Sequence, residues 1–252
     1  MVVLKSSWEI AKLEAANQIV AKVLAAVSAQ VAPGADTLGL NELAERMCRE
    51  AGAVPAFLGY RGYPYSLCVS VNQEVVHGFP SRRKLKSGDI VSMDFGALLD
   101  GFYGDSAITV PVGQVSDQAE LLLDATRLAL EQGIAAAVVG NRLSDIGHAV
   151  QSVVEQAGFS VVRKFVGHGI GRELHEEPQI PNYGRPGRGI RLLEGMTLAI
   201  EPMVNAGGHD VKVLEDGWTA VTTDGSLSAH FEHTIAILES GPKVLSAPGG
   251  SV

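Results

Sequence analysis

The feature that most restricts what this chain can fold into is an internal repeat at an offset of 106–107 residues. The stretches "PGADTLGLNELAERMCREAG" (33–52) and "VGNRLSDIGHAVQSVVEQAG" (139–158) each carry a glycine, Gly34 or Gly140, followed 18 residues later by the glycine of a closing Ala-Gly. Apolar residues between them recur at helical spacing, and the last glycine suits the position just past a helix end. A second pair, "LKSGDIVSMDF" (85–95) and "LLEGMTLAIEP" (192–202), shares Leu-x-x-Gly with a carboxylate six residues after the glycine: Asp94 and Glu201. "DSAITV" from Asp105 and "EHTIAI" from Glu232 both open an alternating strand with a carboxylate. Even "HGFP" (77–80) and "HEEP" (175–178) share His-x-x-Pro.

Chance explains one such match but poorly explains a helix pair and a carboxylate-strand pair at nearly the same offset. The repeat predicts an α+β fold of two related halves, about 1–112 and 113–252. Each half combines helices with an antiparallel sheet portion, and the two pack about a pseudo-twofold axis. No linker-like segment separates them, so a single domain is expected. Capping-box patterns at Ser6-x-x-Glu9 and Asp117-x-x-Glu120 predict long helices over about 6–31 and 118–139.

A chain of 252 residues can bury a sizeable core, and 46% hydrophobic with 19% charged residues is ordinary for a globular protein. The net charge of −8, with no basic run, argues against nucleic acid or an anionic membrane as main partner. Cys48 and Cys68 cannot make a disulfide framework and lack zinc-site spacing, which fits a reducing compartment. No signal-peptide pattern opens the chain and no run of 18 apolar residues occurs, so a cytoplasmic protein is expected.

Alternation places Asp94, Asp105, Glu201 and Glu232 on strands of the two pseudo-symmetric sheets, facing the axis. Four carboxylates cannot all ionise side by side in a half-buried cleft without compensation, and two divalent cations supply it. A hard, oxygen-rich donor set favours Mn, Fe(II) or Co over a thiolate-type zinc site. A single strand acid is ordinarily just solvated, and a lone histidine is more often structural than a ligand. Four acids at symmetric positions shift both odds. In "GHGIGRELHEEP" (167–178) the glycines flanking His168 permit φ > 0 and close backbone approach, so a short segment can aim the imidazole at a fixed point.

Over almost its whole length the chain resembles the type I (bacterial-type) methionine aminopeptidases, metallopeptidases of the pita-bread fold. The motifs that carry the resemblance are "GYRGYPYSLCVSVNQEVVHGFP" (59–80), "MDFGALLDGFYGDSAIT" (93–109), "GHGIGRELHEEPQIPNYG" (167–184), "LAIEPM" (198–203) and "FEHT" (231–234). The resemblance implies removal of the initiator methionine from peptides and nascent proteins whose second residue is small. It implies five metal ligands. Asp105 and Glu232 would bridge two divalent ions, Asp94 would complete one position, and His168 with Glu201 the other. The metals implied are Co, Mn or Fe(II), with Zn as an alternative and a monovalent cation in addition. His77 and His175 match histidines that contact substrate without holding metal, and Glu201 matches the residue that moves protons. Tyr60, Tyr63, Cys68 and Trp218 would line the methionine pocket, an aromatic and thiol surface suited to a flexible thioether. A monomer in transient contact with the ribosome is implied as well.

Three positions depart from the family pattern. Leu174 stands where Phe is usual, Phe57 where some relatives carry a smaller residue, and His230, two before Glu232 on the same strand face, where some have Gln. The first two bear on specificity and the third on pH response. A type I enzyme without the N-terminal extension of eukaryotic forms is expected, and the long insertion of type II enzymes does not occur, since Glu201 follows His168 by only 33 residues. Two rival functions are an aminopeptidase of the same fold that cleaves before proline, and a non-catalytic ribosome-associated adaptor. The first usually carries an additional N-terminal domain, and the second tends to lose ligands.

Overall fold

Two 14-residue helices, Thr37–Glu50 and Leu143–Gln156, occupy the repeated stretches at the 106-residue offset. Their flanking glycines adopt matching left-handed conformations, with φ of +91° and +94° at Gly34 and Gly140, and +77° and +83° at Gly52 and Gly158. The computed structural model describes residues 2–249. Four α-helices, α1 (Ser7–Ser28), α2 (Thr37–Glu50), α3 (Asp117–Ala136) and α4 (Leu143–Gln156), pack against a nine-stranded antiparallel sheet. None is long and apolar enough to cross a membrane.

The sheet runs in the order Val54–Pro55, Ile90–Leu99, Phe102–Pro111, Glu232–Leu238, Thr197–Ile200, Gly167–Gly169, Glu176–Ile180. Cys68–Val71 also pairs with Ile90–Leu99, and Gly241–Val244 with Glu232–Leu238. The two sheet portions expected from the repeat are therefore one continuous sheet. They join where Glu232 pairs with Ala107 and His233 with Ser106. The junction is wet with hydroxyls: Ser106 Oγ donates to the Glu232 carbonyl at 2.6 Å, and Thr234 Oγ1 to the Asp105 carbonyl at 2.8 Å. Two small sheets flank it. One unites Ser160–Val161, Met203–Asn205 and Ser228–His230, the other Glu74–Val76, Val211–Val213 and Ala220–Thr222.

Each helix pair covers its own core. Val20, Val23, Leu24 and Val27 of α1 recur at three- and four-residue spacing and pack with Leu40 and Ala44 of α2 over Val91, Met93 and Phe95. Leu122, Ala129 and Leu130 of α3 pack with Ile146, Val150 and Val154 of α4 over Leu198, Ile200 and Ile235. The Ser6–Glu9 capping box forms as expected, but α1 ends at Ser28 rather than near 31. The other long helix starts one residue before its expected first turn and ends at Ala136, ahead of the β-branched pair Val138–Val139. Its cap is Ser116, whose Oγ accepts from the Ala119 amide at 3.2 Å, rather than the Asp117–Glu120 box.

Helix α1 approaches the sheet at Gly104, where a Cβ would lie 2.7 Å from the Asn17 nitrogen and 2.8 Å from the Ala16 carbonyl carbon. Next to it the Asp105 amide donates to Asn17 Oδ1 at 3.2 Å, so α1 braces a strand that carries one of the site's carboxylates. Gly104→Ala must push helix backbone, which cannot rotate aside as a side chain does. The expected destabilisation is the 1–3 kcal/mol or so of an overpacked core. A thermal unfolding midpoint unchanged from the parent protein would show that the helix yields freely.

Candidate metal centre

The eleven residues expected to hold metal or contact substrate all line one cleft between the two helix-covered cores: Tyr60, Tyr63, Cys68, His77, Asp94, Asp105, His168, His175, Glu201, Trp218 and Glu232. Strand register explains the acidic floor. Asp94 lies mid-strand opposite both Cys68 and Ala107, and Asp105 opposite Gly96 on the adjoining strand. Glu232 opens the strand across the junction. Glu201 differs from expectation, standing one residue past the strand Thr197–Ile200, where its carbonyl accepts from Asn182 Nδ2 at 2.9 Å. His168 is the middle residue of Gly167–Gly169, opposite Ala199.

The glycines around His168 serve close approach rather than unusual torsions, since none of Gly167, Gly169 and Gly171 has positive φ. A Cβ on Gly167 would fall 2.4 Å from the Ala199 carbonyl oxygen, and one on Gly169 2.3 Å from that of Glu177. His230 also departs from expectation. It ends a strand of a small flanking sheet, and Phe231 separates it from the strand of Glu232. Its Nε2 nonetheless faces the cluster, 3.8 Å from Glu201 Oε2.

The electrostatics of this floor are severe. Burial pushes the Asp94, Asp105, Glu201 and Glu232 carboxyls above the usual carboxylate range. Neighbouring acids add to it, with Glu232 and Asp94 acting on Asp105, Asp94 and Asp105 on Glu201, and Glu201 and Asp94 on Glu232. Among the described residues, the buried side-chain atoms without a hydrogen-bond partner are Asp94 Oδ1, Asp105 Oδ1, Glu232 Oε1 and His230 Nε2, all at this site. Orphaned buried acceptors are rare and costly, so three at one point call for positive charge. Donor atoms of Asp105, His168 and Glu232 already lie within 4.8 Å of one another.

His168 is prepared as a neutral donor. Desolvation lowers its pKa to about 4, so it is uncharged at neutral pH. Its Nδ1 lies 2.9 Å from the Gly169 carbonyl, an acceptor only, and must therefore carry the ring proton. The lone pair is left on Nε2, which points to the acids, 3.5 Å from Glu201 Oε1. The donor set of four carboxylates and one neutral imidazole fits a divalent cation.

Above the floor the cleft is apolar. Phe57, Tyr63, Cys68, Ile170 and Leu174 form a buried cluster, with Tyr60, Phe79 and Trp218 packed against it. Tyr63 donates to the Gly78 carbonyl at 2.9 Å and meets Trp218 edge-on at 5.1 Å between ring centroids. Burial and nearby Asp94 push the Cys68 thiol up, so it stays protonated and lines the wall as a soft apolar group. Two histidines flank the mouth. His77 has φ of +60°, a left-handed conformation uncommon for a residue with a side chain, and its ring meets Phe165 and Trp218 edge-on. His175 stacks on Tyr60, and its Nδ1 lies 2.8 Å from the Tyr60 hydroxyl. Desolvation lowers both, His77 to about 4 and His175 to about 3.

Sequence reasoning missed Arg61, which lines the cleft, and the cross-strand hydroxyls of Ser106, Thr109 and Thr234. The hydroxyls did leave a signal, since each lies within four residues of a strand carboxylate.

A buried acidic cluster with a neutral imidazole, at the base of a side-chain-sized apolar cleft, defines the class: a metal-dependent hydrolase. The chain belongs to metallopeptidase family M24, whose pattern matches residues 11–239. Its relatives include a methionine aminopeptidase from Clostridium perfringens, 52% identical over 246 residues, covering 98% of this chain and 99% of that protein. Methionine aminopeptidase 1 of Bacillus subtilis shows the same identity and coverage. The crystal structure of methionine aminopeptidase from Thermotoga maritima aligns with a TM-score of 0.96 at 50% identity, covering 98% of this chain and 100% of that one. A prolidase from Pyrococcus horikoshii OT3, at TM-score 0.80 and 23% identity, shares the fold alone.

Proposed function

We propose that this protein is a methionine aminopeptidase that removes the initiator methionine from peptides and nascent chains with a small second residue. The observation that carries this reading is the adjacency of the orphaned carboxylate oxygens to the apolar cleft walled by Tyr63, Cys68, Leu174 and Trp218. A thioether side chain fits such a wall, and a scissile amide then lies over the acidic floor.

In this reading the whole chain acts as one catalytic domain of two pseudo-repeat halves. Asp105 and Glu232, on the two strands that meet at the junction, would be shared by two divalent ions, with Asp94 held to one position and His168 and Glu201 to the other. Such ions supply Lewis-acid polarisation of the amide carbonyl and a nucleophile at neutral pH. Mn, Fe(II) and Co suit the oxygen-rich set, with Zn as an alternative and a monovalent cation elsewhere in the fold. Glu201 takes and returns protons during hydrolysis, while His77 and His175, uncharged at neutral pH, offer ring N–H groups to the substrate. The enzyme works in the cytoplasm as a monomer in transient contact with the ribosome, binding neither nucleic acid nor membrane.

The test is cleavage of peptides after anaerobic reconstitution with each metal in turn. Met-Ala-Ser is expected to be cleaved far faster than Met-Phe or Met-Lys peptides, because a bulky second side chain strikes the cleft walls. Comparable kcat/KM for Met-Ala and Met-Phe would end the specificity claim, and preference for Xaa-Pro peptides would move the enzyme to the proline-directed reading.

A further inference from the structure

The segment that carries His175 is held from outside the cleft by the start of the chain. Lys5 lies ahead of α1 with its side chain only 4% exposed, and its ammonium pairs with Glu176, whose side chain is 13% exposed. The other Glu176 oxygen accepts from the amides of Arg172 and Glu173, at 2.8 and 3.3 Å. One carboxylate thus templates the turn from 172 to 176, and Lys5 neutralises it. The space for this exists because residue 171 is glycine, where a Cβ would meet Glu176 Oε1 at 2.4 Å and Lys5 Cε at 2.5 Å. The arm itself is moored. The Lys5 amide donates to the Gly195 carbonyl at 2.7 Å, Lys5 Nζ also donates to the Val3 carbonyl at 3.0 Å, and Arg172 reaches Glu9 of α1 at 3.5 Å.

Nothing in the hydrolytic reading uses Lys5, yet it is a nearly buried cation paired with Glu176, the residue that follows the substrate-contacting histidine. We propose that Lys5 is a positioning residue: through Glu176 the N-terminal arm fixes the 171–176 loop and so sets where the His175 ring stands above the acidic floor. The His175 and His168 ring centroids are 4.3 Å apart on the two limbs of this loop, so a shift of one limb changes the mouth of the site directly. This inference rests on the reading that His175 contacts substrate.

A double-mutant cycle separates a positioning role from a merely structural one. Lys5→Met is expected to lower kcat at least about tenfold, toward the roughly 10²-fold cost of an ångström-scale misplacement, with KM and calorimetric metal affinity little changed. Lys5→Arg, which keeps the charge, should recover most of the loss. In a His175→Ala background Lys5→Met should cost almost nothing more, because the group it positions is gone. An equal loss in both backgrounds, or weakened metal binding, overturns the proposal. Amide hydrogen exchange gives a readout free of catalysis: residues 172–176 should exchange faster in Lys5→Met, and unchanged exchange also overturns it. If His175→Ala alone leaves kcat intact, the role given to His175 fails instead, while exchange still reports the arm's grip. Should Lys5→Met fail to fold, Glu176→Gln, which keeps the shape and removes the charge, carries the same cycle.

Discussion

Glu232→Ala is expected to abolish hydrolysis and to empty both metal positions together. Glu232 is 2% exposed, its Oε1 has no hydrogen-bond partner, and it stands at the junction of the two halves opposite the strand of Asp105. In the proposed bridging role a carboxylate placed there would neutralise two cations at once, so its removal would leave two like charges with only Asp105 to offset them. The loss in kcat should exceed the 10²–10³-fold or so that a single preorganised hydrogen-bond donor contributes, because two cations go with it. The same substitution has a second signature. Burial and the neighbouring acids raise the Glu232 carboxyl, so in the metal-free protein the cluster is a cost to folding that a bound cation offsets. The parent protein should therefore be stabilised as Mn²⁺ is added, by about 2.7 kcal/mol at a hundred times Kd, with a higher melting midpoint, while the variant's midpoint stays flat. A Glu232→Ala protein that holds two metals tightly and turns over normally would refute the bridging role.

Much of this was legible in the sequence because the repeat encodes geometry twice. Gly34 and Gly140 turn the chain alike, equal helices follow, and Asp94 and Glu201 emerge six residues after matched glycines. Alternation is enough to say that Asp94 and Asp105 share a sheet face. It cannot say that the halves fuse into one sheet, since that depends on the pairing of Glu232 with Ala107 across 125 residues of chain. Nor does a local pattern say what presses on the glycines around His168. For Gly167 and Gly169 it is the backbone of Ala199 and Glu177 on neighbouring strands, and for Gly171 the side chains of Glu176 and Lys5, which only tertiary packing supplies. The hidden partners of the site follow the same rule. Asn17 bonds the Asp105 amide from a helix 88 residues earlier, and Lys5 reaches Glu176 across 171. Residues that act on the cleft from a distance leave no spacing to read.

His168→Ala and His175→Ala are expected to fail in different ways, although both rings line one cleft. His168 donates its Nδ1 proton to the Gly169 carbonyl and turns the Nε2 lone pair on the acids, the form a metal ligand requires. Its loss removes one donor from one metal position and leaves the carboxylates in place. The deficit is one of occupancy, so excess metal should restore part of the activity by mass action. His175 has no such bond to fix a lone pair toward the floor. Its Nδ1 meets the Tyr60 hydroxyl at 2.8 Å, and a ring that accepts that proton presents Nε2–H to the cleft as a donor. A donor of this kind acts on charge that develops in the transition state, and losing it costs about 10²–10³-fold in kcat, roughly 2.7–4 kcal/mol. His175→Ala should thus bind metal as the parent does, turn over slowly, and gain nothing from added metal. Tyr60→Phe offers a milder version, since it removes the hydroxyl that sets the tautomer while keeping the stacked ring. Titrating metal into His168→Ala and His175→Ala with activity read in parallel decides the assignment: rescue of His175→Ala but not of His168→Ala would reverse the two roles.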